Sequence, residues 1–223
     1  MYSAQFEALF EKGRDAILAG AGQYETPPVD GGRWGMTVVL RPDRATARRI
    51  EDLTREAMEV AGPAHWPTGY ADSSHFTVRA LEPHRVDVPE DDANVTRYLD
   101  ALRAAAATVG PISLALTGVT LTPNSVMLRA DPIENTLHEF HAELGDALGA
   151  DGWLEANISR NIWYANLVHF TSAPDHPRKL IDWVARCRAL DMGLSHHHEC
   201  ELVVYRFNGG RITTEALATV PLG

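Results

Sequence analysis

Cysteine and lysine are nearly missing from this chain. Of its 223 residues only Cys187 and Cys200 are cysteines, in no C-x-x-C spacing. A disulfide framework or a cysteine-built zinc site is therefore not expected, and a reducing compartment is the default. Of the 20 basic residues only Lys12 and Lys179 are lysines, which leaves 18 arginines. Neither lysine lies in G-x-x-x-x-G-K-[ST], and no such phosphate-cradling loop occurs, so nucleoside-triphosphate-driven and Schiff-base chemistry are disfavoured. Long apolar runs are missing too: nothing approaches the ~18 residues of a membrane span. The N-terminal stretch carries Glu7 and Glu11 where a signal peptide needs an unbroken apolar core. A cytoplasmic location with no membrane partner is the expectation. Cations are also in deficit, 20 against 30 acidic residues, for a formal net charge of −10. That argues against wrapping duplex DNA or an anionic surface, but leaves room for a small anion held by a few local arginines.

What is present fits a folded chain. At 45% hydrophobic and 22% charged residues the composition is that of a globular protein with a sizeable core. The length suits one large domain or two small packed lobes. An amphipathic helix is expected at the N-terminus, with Phe6, Leu9, Phe10, Ile17 and Leu18 on one side, followed by a turn-rich linker over 25–32. Residues 1–33 thus read as a helix and linker, and 34–223 as a single two-lobed domain. Within it, strands are expected at 36–40, 75–81, 112–121, 125–131, 165–171, 200–207 and 212–220. Helices are expected at 45–61, 95–109, 133–148 and 176–190. Thr122-Pro-Asn-Ser and Asn208-Gly209 mark hairpins. The order is α+β, with strand-helix-strand-helix-strand read twice, a candidate internal duplication.

One tripeptide recurs within that order. His75-Phe76-Thr77 and His169-Phe170-Thr171 lie 94 residues apart, each on the second strand of its half. None of the other eight histidines opens H-x-T or H-x-S. Side chains alternate faces along a strand, so Phe76 and Phe170 would anchor their strands on the core while each His and Thr faces outward. Two halves packed about a pseudo-two-fold would then set two imidazoles across a cleft with a hydroxyl beside each. An imidazole titrates near 6.5, so one can act as base and the other as acid near neutral pH. Such a pair suits in-line displacement at phosphorus without a metal.

The paired H-x-T strands, the duplicated order and the terminal hairpin resemble the 2H phosphoesterase superfamily, which includes 2′-5′ RNA ligase-like proteins and 2′,3′-cyclic nucleotide phosphodiesterases. The resemblance covers residues 34–223. It implies two lobes whose sheets face a central cleft, with no metal or other cofactor. It also implies His75 and His169 as the acid–base pair and Thr77 and Thr171 as phosphate-binding hydroxyls. The implied reaction is hydrolysis of an RNA-type 2′,3′-cyclic phosphate, on a small nucleotide or an RNA end, with a 2′-phosphate product favoured. Val78 matches the aliphatic residue that follows the family's Thr; Ser172 departs from it. The same residues would serve hydrolysis or ligation of 2′-5′-linked or cyclic oligonucleotides, and a non-catalytic nucleotide-binding regulator is a further reading.

Other residues carry weaker signals. By alternation Arg79 shares the face of His75 and Thr77 and is a candidate phosphate contact. Tyr70, Trp66 and Trp163 precede the two motif strands and could stack a base, against the commoner fate of core packing. Either Tyr205 or Arg206 should face the cleft, and the sequence leaves open which. His196-His197-His198 reads as a loop entering a strand rather than a metal site, because consecutive residues cannot converge on one ion. His138 and His141 read as a solvated helix face, and Glu90-Asp91-Asp92 as acidic charge at a helix start. Oligomeric state is not legible.

Overall fold

Residues 4–158 and 160–223 are described by the computed structural model. Two of the helices begin where an aspartate side chain supplies the missing acceptor for free backbone N–H groups. Asp43 accepts from Ala45 N (2.8 Å) and Thr46 N (3.1 Å) and opens α2, Arg44–Ala61. Asp92, from the acidic run, accepts from Asn94 N and Val95 N and opens α3, Ala93–Ala106. Pro177 starts α5, Pro177–Cys187, at the position where its absent N–H costs nothing. The remaining helices are α1, Ala4–Leu18, and α4, Thr136–Leu148.

The strands are β1 Thr37–Leu40, β2 Trp66–Pro67, β3 Phe76–Ala80, β4 Ile112–Leu121, β5 Ser125–Pro132, β6 Trp163–His169, β7 Asp191–His197, β8 Glu199–Phe207 and β9 Ile212–Pro221. They form two antiparallel sheets, β3-β1-β8-β9 and β2-β6-β5-β4-β7. Each sheet draws on both halves of the chain. The run β3-β1-β8 in one corresponds to β6-β5-β4 in the other, which is the topological imprint of the duplication. The helices cross over: α2, between two strands of the first sheet, packs with α5 on the second, while α4 packs with α3 on the first. Phe76 and Phe170 are fully buried, as the alternation requires. They belong to one continuous core with Val38, Leu40, Ile50, Leu114, Phe140 and Leu202.

Two strands escaped the sequence pattern. β2 is only two residues long, too short to show a period. β7 includes His196 and His197, which the sequence assigned to a loop. From Leu194 onward its residues are exposed and buried in turn: His197 is 2% exposed, donating Nδ1–H to the Arg41 carbonyl (2.8 Å) and packing edge-on against Phe76, while His196 meets Ser113 at the surface. The three histidines splay apart, and among the described residues no group of three or more His, Cys, Asp or Glu is placed to hold a metal. No helix among them is long and apolar enough to cross a membrane. α1 lies on β4 with Gly13 at the contact, where a Cβ would stand 2.6 Å from the Leu121 carbonyl oxygen.

Candidate active site

Side chains from both sheets line a cleft of about 480 Å³, within the size range of small-ligand sites. His75, Thr77 and His169 line it together with Thr37, Thr68, Tyr164, Asn166, Tyr205 and Thr214. Residues 31–35, which straddle the end of the stretch expected to be a linker, wall one side of it. That segment is pinned by Gly31 N–H to the His84 carbonyl, His84 N–H to the Gly32 carbonyl and His84 Nδ1–H to the Trp34 carbonyl (3.0 Å). Trp34 sits at φ 73°, a left-handed conformation uncommon for a bulky residue. It lays its indole edge-on against both His169 (4.7 Å between centroids) and Tyr205 (5.2 Å).

The hydrogen bonds fix how the two imidazoles present themselves. His75 Nδ1 lies 2.7 Å from the Ser73 carbonyl oxygen. A carbonyl can only accept, so Nδ1 carries the proton and Nε2 offers a lone pair. Tyr205 donates its O–H to that Nε2 at 2.8 Å. On the other side the Thr68 hydroxyl points its hydrogen at the Asn166 carbonyl (3.3 Å) and so accepts from His169 Nδ1–H at 3.1 Å. Both rings therefore take the same tautomer, with Nε2 as the unprotonated nitrogen.

Electrostatics hold both rings neutral. Burial is the main cause, depressing His75 to about 4 and His169 to about 3. The Ser73 carbonyl partly opposes the shift at His75, while the Arg41 charge adds to it. At His169 the Arg33 guanidinium and the facing His75 both add to it. Burial also pushes Tyr205 up to about 12, so its phenol is a donor at neutral pH.

The arrangement brings together three of the four motif side chains. Thr171 is the exception. Strand pairing ends at His169, opposite Trp66 and Ser125, and the chain then turns so that the Thr171 hydroxyl donates to the Ala64 carbonyl (2.7 Å), outside the cleft. Arg79 is a second correction. A bulge at Val78 breaks the alternation, since Val38 pairs with Arg79 and Val39 with Thr77. The side chain consequently lies behind the sheet, donating to the Gly152 carbonyl (3.2 Å) beside His141. This contact also half-buries His141, which the sequence placed in solvent.

Trp163 falls to the same mechanism. Val126 pairs with Val168 and Met127 with Asn166, so Leu167 is an extra residue and the face reverses between Asn166 and His169. Trp163 points into the core at 2% exposure, packed on His138, and its neighbour Tyr164 lines the cleft. Tyr70 stands outside, its ring between the guanidiniums of Arg55 (5.1 Å) and Arg211 (5.0 Å). Trp66 packs with Tyr205 and Ile212 in a small cluster of its own. Of the pair left open on β8, Tyr205 faces the cleft, and Arg206 pairs with Glu215 outside. Thr68, Tyr164, Asn166, Trp34 and Arg33 gave no sequence signal: the bulge on β6 turns Tyr164 and Asn166 to the cleft, the β2–β6 contact brings Thr68, and the 31–35 segment brings Trp34 and Arg33.

Two curled antiparallel sheets over one cleft, with helices crossing between them, are the fold of the 2H phosphoesterases. The chain is similar in structure to TT0787 of Thermus thermophilus, at TM-score 0.62 and 13% identity over 84% of this chain and 97% of that one. It is similar to Escherichia coli LigT, solved with 3′-AMP, at TM-score 0.58 and 14% identity over 85% and 98%. A protein solved as a phosphoesterase matches at TM-score 0.57, 14% identity and the same coverage. LigT has also been solved with ATP and with NADP+. No family model matches the sequence, and no curated protein does.

Proposed function

We propose that this protein is a metal-independent phosphodiesterase that hydrolyses an RNA-type 2′,3′-cyclic phosphate, with His75 and His169 as its acid–base pair. The observation that carries the reading is the matched presentation of two Nε2 atoms, from repeated motifs, into one cleft with the Thr77 hydroxyl beside them. Nucleotides bound to LigT, a protein of the same fold, support a nucleotide ligand.

In the reaction, a neutral imidazole takes a proton from water as its oxygen attacks phosphorus. The bond to one ribose oxygen breaks, and the second imidazole gives that oxygen a proton. The two rings are not equivalent. At His75 the Ser73 carbonyl favours an imidazolium and partly offsets burial and the Arg41 charge, whereas at His169 the Arg33 charge and the facing His75 both add to burial. On that difference His75 is assigned the acid and His169 the base, and when His75 gains its proton at Nε2 the Tyr205 hydroxyl turns from donating to accepting the hydrogen bond there. A phosphate anion between them raises both pKa values, so the acid gains its proton when the substrate is seated. Thr77 donates to a non-bridging oxygen as charge accumulates on it.

The test of substrate class is turnover of the four 2′,3′-cyclic nucleoside monophosphates with EDTA present, the product followed by phosphorus NMR. Conversion to a nucleoside monophosphate is expected; no turnover of any of the four would overturn the reading. The uneven motifs give a second expectation. Thr77→Val should lower kcat/KM by about 10²-fold, in the range of a lost oxyanion donor, while Thr171→Val should stay within about two-fold, because its hydroxyl serves a backbone carbonyl. Equal losses at the two positions would contradict the geometry.

A further inference from the structure

We propose that Arg33 binds the phosphate group of the substrate, supplying the contact that the second motif's threonine does not make. The inference rests on the phosphoesterase reading above and assigns a binding role to the segment between α1 and β1.

Four observations converge on it. First, Arg33 is the sole cationic side chain among the described residues lining the cleft; the other charged one, Glu82, is engaged by Arg85 and Tyr98. Second, the donor set for phosphate is lopsided, with Thr77 in the cleft and Thr171 turned to the Ala64 carbonyl. Third, the other arginines near the histidines are committed. Arg79 lies behind the sheet on Gly152, and Arg41 is held by Glu201 (2.7 Å) and the Thr214 hydroxyl (2.6 Å). Arg33 is 63% exposed and makes one ion pair, to Glu25. Fourth, its position is set. The guanidinium carbon lies 5.3 Å from the centre of the Trp34 ring, and that ring contacts His169.

A need for such a cation follows from charge. The protein carries a formal net charge of −10, and the two catalytic imidazoles enter the site neutral. Among the described residues that line the cleft, Arg33 is therefore the one positive charge a cyclic phosphate monoanion meets. A guanidinium can donate two parallel N–H bonds to phosphate oxygens, and Glu25, 8% exposed and anchored by Asn124 Nδ2 (3.4 Å), holds it at the mouth until the anion arrives.

The test compares wild type with Arg33→Met, which keeps an apolar stem over Trp34, and Arg33→Lys, which keeps the charge. Two readouts are taken: kcat and KM on a 2′,3′-cyclic nucleotide, and affinity for inorganic phosphate by calorimetry, which needs no turnover. A lost charged hydrogen bond is expected to raise KM and weaken phosphate binding about ten- to a hundred-fold in Arg33→Met. kcat should change by only a few-fold, and Arg33→Lys should recover part of both losses. Arg33→Met with KM and phosphate affinity within two-fold of wild type would overturn the role of Arg33, as would a wild type that binds no phosphate. Loss of phosphate affinity in Arg33→Met with no turnover by the wild type would uphold Arg33 and sink the phosphodiesterase reading instead.

Discussion

His75→Ala and His169→Ala are each expected to lower turnover of a 2′,3′-cyclic phosphate by about 10²–10⁴-fold, the range for a lost acid or base, with the fold intact. Both rings line the cleft, His169 at 2% exposure, and neither belongs to the apolar core that holds Phe76 and Phe170, so truncation widens the cleft and leaves that core closed. The losses should part when the leaving group changes. With an aryl phosphodiester, whose phenolate departs without a proton, His75→Ala should recover much of its loss, because His75 is assigned the acid. His169→Ala should recover little, since attack by water still needs its base. Initial rates on the two substrates check this. Recovery by His169→Ala alone would reverse the assignment, and recovery by neither would count against a proton-donating role at either ring.

The second large effect concerns stability. His169 and His197 are each 2% exposed, and burial depresses them to about 3 and about 4. In the unfolded chain both return to about 6.5. Between those values the unfolded state binds the extra protons, so stability rises with pH through this window and is lost as pH falls below about 6.5. At pH 4.5 each group has lost about 2–3 kcal/mol, roughly 5 kcal/mol together, against a total of about 5–15 kcal/mol for a typical domain. His75 acts in the same direction but is only half-buried and adds less. The paired carboxylates, Asp43, Asp92 and Glu155 among them, are held below their ordinary values, and their contributions go only at lower pH still. Urea unfolding between pH 7.5 and 4.5 should therefore show the midpoint falling steeply below pH 6.5. A midpoint flat down to pH 5 would mean that neither ring is buried neutral.

Much of the fold was legible because it is written in periods. The helical stripes, the acidic run Glu90-Asp91-Asp92 at a helix start and the hairpin at Asn208-Gly209 all gave elements within a few residues of those observed. So did the two phenylalanines, whose burial follows from alternation alone. What failed did so at single inserted residues. The bulge at Val78 turned Arg79 away from the cleft, and the one at Leu167 exchanged Trp163 for Tyr164. A bulge leaves no mark in hydrophobic periodicity, yet it reverses every side chain beyond it. Thr171 was lost to a strand that stops two residues early. The rest of the site, Thr68, Tyr205, Trp34 and Arg33, reaches the histidines only through the fold: β2 pairs with β6, β1 sets β8 two strands from β3, and residues 31–35 dock over the cleft.

The central claim is that two histidines from repeated motifs act as one catalytic unit across a shared cleft. The most direct measurement is the initial rate on a 2′,3′-cyclic nucleotide, with EDTA present, for wild type, His75→Ala, His169→Ala and the double variant. Groups that act in one step are not additive, so the double variant should be no more than a few-fold slower than the slower single variant. A single variant with near-wild-type turnover would contradict the account, as would losses that multiply in full.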